Sequence, residues 1–145
     1  MKKMMLIGKT YSGKTTLCQN INSLNISYKK TQSVEFCDNI IDTPGEYIEN
    51  KRYYKALIVT SVDVDVIGLV QDITDESNFF PPEFASIFSK SVIGIITKID
   101  LEESYKKENE AVEKLKLAGV DRIFKVSSIK NEGIEELIDY LKEYL

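Results

Sequence analysis

Met4-Met5-Leu6-Ile7-Gly8-Lys9-Thr10-Tyr11-Ser12-Gly13-Lys14-Thr15-Thr16 is the stretch whose reading decides the fold. A short apolar run enters a turn with glycines at both ends, and a helical pattern starts at the lysine. Gly8 through Thr15 fit the phosphate-binding pattern GxxxxGK[ST], in the strand–turn–helix context that its mechanism needs. Glycines let the backbone curl until successive N–H groups face one anion at the positive end of a helix. Gly8, Ser12, Gly13, Lys14, Thr15 and Thr16 are therefore the expected phosphate-binding residues. Lys14 is expected to reach the outer phosphates and to assist catalysis, and the Thr15 hydroxyl to ligate Mg²⁺.

Outward from this loop, apolar runs alternate with helical patterns to the end of the chain. That alternation predicts an α/β domain with a mostly parallel sheet flanked by helices, a small-GTPase-like P-loop NTPase in one domain over 1–145. Strands are expected over 4–7, 31–36, 40–42, 64–71, 91–97 and 123–126, with a turn at 37–39 joining the second and third. Helices are expected over 14–21, 51–61, 84–88, 107–118 and 133–144. The last carries Ile134, Leu137, Ile138, Leu141 and Leu145 on one stripe, which marks a core-facing helix. Gly68 and Gly94 fall inside strands, where close helix packing would explain them.

Two further motifs stand at strand ends. Asp42-Thr43-Pro44-Gly45 is an ordinary turn in isolation. After a P-loop, it reads as a carboxylate for the Mg²⁺ shell followed by a glycine whose backbone approaches the γ-phosphate. Thr97-Lys98-Ile99-Asp100 offers one carboxylate to two N–H donors, which matches the N1 and N2 edge of guanine and not adenine. The Lys98 stem can lie along the base. Ser127 and Ser128 close the series as a further wall of the base site, with Ser128 where small GTPases carry Ala. Thr31 is either the switch threonine that completes the Mg²⁺ shell or a plain strand residue.

Composition removes other chemistries. The chain of 145 residues contains no histidine, which excludes imidazole metal sites, Ser-His triads and histidine bases. A net charge of −4 argues against nucleic acid as a partner, because phosphate backbones demand a basic face. Cys18 and Cys37 have no CxxC spacing and read as a pair of thiols in a reducing compartment. No apolar run is long enough to span a membrane and the N-terminus has no signal-peptide pattern, so a cytoplasmic location is expected.

The three motifs in this order resemble the translation-factor-related P-loop GTPases. More narrowly, the chain resembles the ethanolamine-utilisation EutP and propanediol-utilisation PduV family. The resemblance is carried by residues 3–8, Tyr28-Lys29-Lys30-Thr31-Gln32, residues 39–47, Gln71-Asp72-Ile73-Thr74-Asp75-Glu76, Phe80-Pro81-Pro82 and residues 92–100. It implies a role in ethanolamine or amine catabolism, with GTP/GDP as ligand and ATP as the alternative. Association with the shell of a bacterial microcompartment, or with pathway proteins, follows from the same resemblance. An ATP-dependent acetate kinase activity ascribed to the family is the rival to a GTP-binding switch.

Three departures from ordinary small GTPases bear on mechanism. Glu46 stands where many place a water-orienting Gln, and a carboxylate there repels the γ-phosphate unless it serves as a base. Tyr11 occupies the position where potassium-activated GTPases carry Asn. Only 28 positions separate Lys14 from Asp42, a short connection for a switch loop. Slow intrinsic hydrolysis is the expectation. The cluster Asp72, Asp75 and Glu76 follows a strand end on the nucleotide side of the sheet and reads as a solvated acidic loop, poorly suited to attract an acetate acceptor unless a cation bridges them. The segment Phe79-Phe80-Pro81-Pro82 is either a partner interface or a cap folded back on the core.

Overall fold

The computed structural model describes residues 1–29, 39–77, 80–101 and 105–143. Strand β1 (Met4–Gly8) is buried along its whole length, as a central parallel strand covered on both faces must be. It pairs in parallel with β2 (Ile40–Asp42) on one side and β3 (Val66–Asp72) on the other. Strands β4 (Ser91–Thr97) and β5 (Arg122–Lys125) extend the sheet, giving the order β2-β1-β3-β4-β5, all parallel.

The pleat sends alternate residues of each strand to opposite faces. Met4, Leu6, Val66, Val70, Ile93 and Ile95 join Leu17 and Ile21 of helix α1 (Lys14–Lys29) and the stripe Ile134, Leu137, Ile138 and Leu141 of helix α5 (Ile134–Lys142). Met5, Ile7, Ile67, Leu69 and Ile96 pack on the other face. There they meet Ile48 of α2 (Glu46–Glu49), Leu57 of α3 (Tyr54–Ser61) and Leu115 of α4 (Tyr105–Leu117). Each fully buried aliphatic side chain stabilises by about 1.5–3 kcal/mol. Among the described residues both faces of the sheet are covered by packed side chains.

Several boundaries depart from expectation. Helix α1 runs well past residue 21 to Lys29, because the Asn and Ser that follow are only mildly unfavourable in a helix and no Gly or Pro intervenes. The expected helix over 51–61 is a 3₁₀ turn, Lys51–Tyr53, followed by α3, with the Asn50 side chain accepting from Arg52 N–H at the break. The 84–88 helix is a 3₁₀ turn, Phe84–Ile87. A Cβ on Gly94 would meet Leu115 Cδ1 of α4 at 2.8 Å, so close helix packing explains that glycine. Gly68 differs: its space is taken by Ile95 and Leu6 of the neighbouring strands. Phe80 is buried and packs near Phe84, so the described part of the aromatic segment folds back on the core. The expected strand over 31–36, Thr31, Cys37 and Phe79 lie outside the described residues. No helix among the described residues is long and apolar enough to cross a membrane.

The chain runs from β1 to β2 on one side and then crosses back to β3 on the other. A crevice opens at such a reversal, outside the carboxyl ends of the strands. All three motifs of the sequence begin at those ends.

Candidate functional site

The turn after β1 is held in an unusual backbone path, with Tyr11 at φ 67° and Gly13 at φ 101°. Ser12 N–H donates to Lys9 O at 3.1 Å, and Thr97 Oγ1 at the end of β4 donates to Ser12 O at 2.6 Å. Helix α1 begins at Lys14 with no acidic residue in its first turn. The N–H groups of Lys14, Thr15 and Thr16 have no intrahelical acceptors, and the helix carries no carboxylate of its own at its positive end. Such an end is suited to an anion.

Lys14 is only 6% exposed, and its Nζ donates to Lys9 O at 3.0 Å. Burial holds its pKa below the ordinary lysine value, opposed by the nearby carboxylates of Asp42 and Glu49. A buried cation without a directly bonded carboxylate is suited to receive a polyanion. Thr43 Oγ1 and N–H both donate to Leu6 O, which fastens the end of β2 to β1 and sets Asp42 beside the turn. Thr15 Oγ1 then donates to Asp42 Oδ2 at 2.6 Å. Gly45 lies so close to Thr10 that a Cβ there would collide with Thr10 Cα at 2.7 Å. Together Thr10, Tyr11, Gly13, Lys14, Thr15, Thr16, Asp42, Thr43, Pro44, Gly45 and Lys98 line a cavity of about 700 Å³.

A second cavity of about 230 Å³ adjoins it, lined by Gly13, Thr16, Thr97, Lys98, Asp100, Ser128 and Ile129. Gly13, Thr16 and Lys98 line both, so the two form one groove. Ser127 stands behind the second cavity: its Oγ donates to Asp100 Oδ1 at 2.7 Å and accepts from Lys130 N–H at 3.2 Å. Asn20 of α1 donates to Ser128 O at 3.1 Å. Asp100 thus presents a carboxylate whose orientation is fixed from below.

Lys98 joins the two ends. It sits at φ 62°, a costly region for a residue with a Cβ, which occurs at functional sites. Its Nζ donates to Tyr11 O at 2.8 Å and to Asp72 Oδ2 at 2.7 Å. The other oxygen of Asp72 accepts from Thr74 N–H and Oγ1. Asp75 is also engaged, accepting from Ser77 N–H and Oγ, with Lys9 at 3.8 Å. Burial pushes the Asp75 carboxyl up, but the Ser77 hydrogen bonds and the Lys9 and Lys114 charges outweigh it and hold the pKa below the usual range. The solvated acidic loop expected from the sequence is therefore corrected. Asp72 is committed to Lys98 of the groove, and Asp75 to Ser77 and Lys9 beside it.

Other expected residues are placed differently. Gly8 and Ser12 lie beneath the turn and not on the cavity wall. Ser12 Oγ is buried with no hydrogen-bond partner, and a Cβ on Gly8 would meet it at 2.8 Å. Glu46 opens α2, is exposed and does not line the cavity, whereas Glu49, one turn later, acts on Lys14. Asp72, Glu49, Thr10 and Asn20 were not expected at the site. The signal for Asp72 is strand register: β3 and β4 pair Asp72 with Thr97, which sets Lys98 next to it.

Thr15 Oγ1 and the Asp42 carboxylate are hard oxygen donors already within 2.6 Å of each other. No cluster of three or more His, Cys, Asp or Glu suited to a metal exists among the described residues. One carboxylate and one hydroxyl suit an ion that takes its remaining ligands from phosphate and water.

The family model described as "Ethanolamine utilisation - propanediol utilisation" (PduV-EutP) matches residues 1–143. The propanediol utilization protein PduV of Citrobacter freundii is 36% identical over 141 residues, covering 97% of this chain and 93% of that protein. The probable acetate kinase EutP of Escherichia coli K12 is 36% identical over 145 residues, covering 97% and 89%. Among solved structures, translation elongation factor SelB from Methanococcus maripaludis, in complex with the GTP analogue GppNHp, superposes with a TM-score of 0.66 at 17% identity. That match covers 97% of this chain and 32% of SelB, and it supports the P-loop GTPase fold alone. The phosphate turn, the β2 carboxylate and the β4 motif thus stand on a P-loop GTPase fold, and the chain belongs to the PduV-EutP family.

Proposed function

We propose that this protein is a Mg²⁺-dependent GTP-binding protein and slow GTPase, with residues 1–145 acting as one nucleotide-binding domain. The observation that carries the proposal is the continuous groove. It runs from the buried cation Lys14 to the anchored carboxylate Asp100, with Gly13, Thr16 and Lys98 shared between its two halves.

In this reading the N–H groups of Gly13, Lys14, Thr15 and Thr16 take the α- and β-phosphates, and Lys14 gives up Lys9 O for a phosphate oxygen. Asp100 accepts two hydrogen bonds from the guanine edge while Ser127 holds it still, and Thr97, Lys98 and Ser128 wall the base. Thr15 and Asp42 hold Mg²⁺, which when bound neutralises charge on the β- and γ-phosphates. Gly45, against Thr10, is placed to give way to a γ-phosphate and so report its presence. Glu46 lies outside the cavity and serves as base only if α2 moves, which supports slow hydrolysis. Thr31 is retained as the proposed switch ligand to Mg²⁺.

The family description supports a role in ethanolamine or propanediol utilisation, and the reading extends to a cytoplasmic protein with a microcompartment shell or pathway protein as partner. A second reading is an ATP-dependent acetate kinase, favoured by the name of the Escherichia coli relative. Acetyl phosphate formation from ATP and acetate, trapped as the hydroxamate, separates it from water as acceptor.

Calorimetric titration with GTP and ATP, with and without Mg²⁺, tests the proposal. GTP should bind at least about tenfold more tightly than ATP, from the two hydrogen bonds at Asp100 that adenine cannot make. Equal or tighter ATP binding would overturn the guanine assignment.

A further inference from the structure

Tyr11 is the odd residue of the phosphate turn. At φ 67° it occupies the left-handed region, where a bulky side chain is a rare outlier. Its residue surface is 89% exposed, so packing within the chain does not compensate the strained backbone. What holds the backbone is the bond from Lys98 Nζ to Tyr11 O. Lys98 lines both cavities, and Tyr11 lines the larger one. Tyr11 is therefore held on the wall of the larger cavity, bonded through its backbone O to Lys98, a residue shared by both cavities. Anything joining a base in one to phosphates in the other must pass Lys98, next to Tyr11.

We infer that Tyr11 is a ligand-contacting residue whose ring lies over the sugar of a bound nucleotide and retards its release. The inference rests on the nucleotide reading of the groove. An aromatic ring offers a large, stiff apolar face at little conformational cost, which suits it to cover a ribose that the open groove leaves in water. Pyrophosphate, which lacks base and sugar, has nothing for the ring to cover. The strained backbone serves the ligand rather than the fold.

The test follows release of tritiated GDP in a chase on wild type, Tyr11→Phe, Tyr11→Ala and Tyr11→Gly, with pyrophosphate affinity by calorimetry and Tm of each ligand-free protein. Tyr11→Ala and Tyr11→Gly should release GDP roughly tenfold faster. Tyr11→Phe should stay within about twofold of wild type, and pyrophosphate affinity should be unchanged. Tyr11→Gly, relieved of the left-handed strain, should unfold at or above the wild-type Tm. Release of GDP from Tyr11→Ala at the wild-type rate would overturn the inference and leave the nucleotide reading standing. A fall in Tm of several degrees in both Tyr11→Ala and Tyr11→Gly would assign the ring to the fold instead. Failure of the wild type to retain GDP at all would remove the nucleotide reading and this inference together.

Discussion

The two ends of the groove are built on opposite plans. At the base end, Asp100 is anchored by Ser127, Lys98 by Asp72 and Tyr11 O, and Thr97 by Ser12 O. A base can enter without any of these bonds breaking. At the phosphate end, Lys14 is bonded to Lys9 O, Thr15 to Asp42, and Gly45 rests on Thr10. Each of those contacts must be exchanged when a triphosphate and a cation arrive. On the proposed nucleotide reading, the base end is pre-organised for recognition and the phosphate end is poised for change, the division a conformational switch needs.

The largest effect is expected at Lys14. Lys14→Met should weaken GDP and GTP binding by roughly a hundredfold, about 3 kcal/mol, because on the proposed reading phosphate loses a buried cation. The same change should raise the Tm of the ligand-free protein, since the burial that holds this lysine's pKa low also destabilises the native state. A lowered Tm would mean that Lys14 supports the fold. The sign of the pH effect follows from the same residue. Between its native pKa and its ordinary 10.5, the unfolded chain binds more protons, so ligand-free stability should rise with pH across that window. A bound polyphosphate restores the lysine's charge, so nucleotide affinity should fall over the same window, with proton uptake visible by calorimetry in two buffers.

Next comes the cation. Chelating Mg²⁺, or Thr15→Ala, should weaken GTP more than GDP, by roughly tenfold or more, because the hydroxyl acts on the outer phosphates. Equal losses for both nucleotides would place the cation elsewhere.

The base end should respond more gently to loss of a supporting partner. Asp72→Asn removes a charge-assisted bond between side chains 12% and 36% exposed, so about 1 kcal/mol, or fivefold in affinity, is expected after allowance for solvent screening. Paired with Lys98→Ala in a double-mutant cycle, the two losses should not add, since Asp72 acts through Lys98. Additive losses would separate them. The smallest effect belongs to Lys9→Ala, which gives up a long ion pair to Asp75 and should change affinity by less than about 0.5 kcal/mol.

The contrast also explains what could be read in the sequence. The P-loop, the β2 carboxylate and the β4 motif are local strings whose chemistry lies in their own residue types. They were legible together with the alternation that forms the parallel sheet. Asp72 was not, because its role depends on a partner 26 positions away that only strand register brings near. In the sequence it stands beside Asp75 and Glu76, and three neighbouring acids look like a solvated loop. Glu46 and Glu49 show the same limit: one helical turn decides which carboxylate acts on Lys14, and residue type does not reveal it. Gly68 was read for helix packing, but the side chains of adjacent strands already fill its place.

If Asp100 reads the base, exchanging the base must exchange the partner that Asp100 needs. Asp100→Asn turns an acceptor pair into one acceptor and one donor, which fits the C2 carbonyl of xanthine and not the C2 amino group of guanine. Calorimetry of GTP and XTP on wild type and Asp100→Asn should show GTP preferred by the first and XTP by the second, each by roughly tenfold or more. Unchanged GTP preference in Asp100→Asn would contradict the account and move the base out of this pocket.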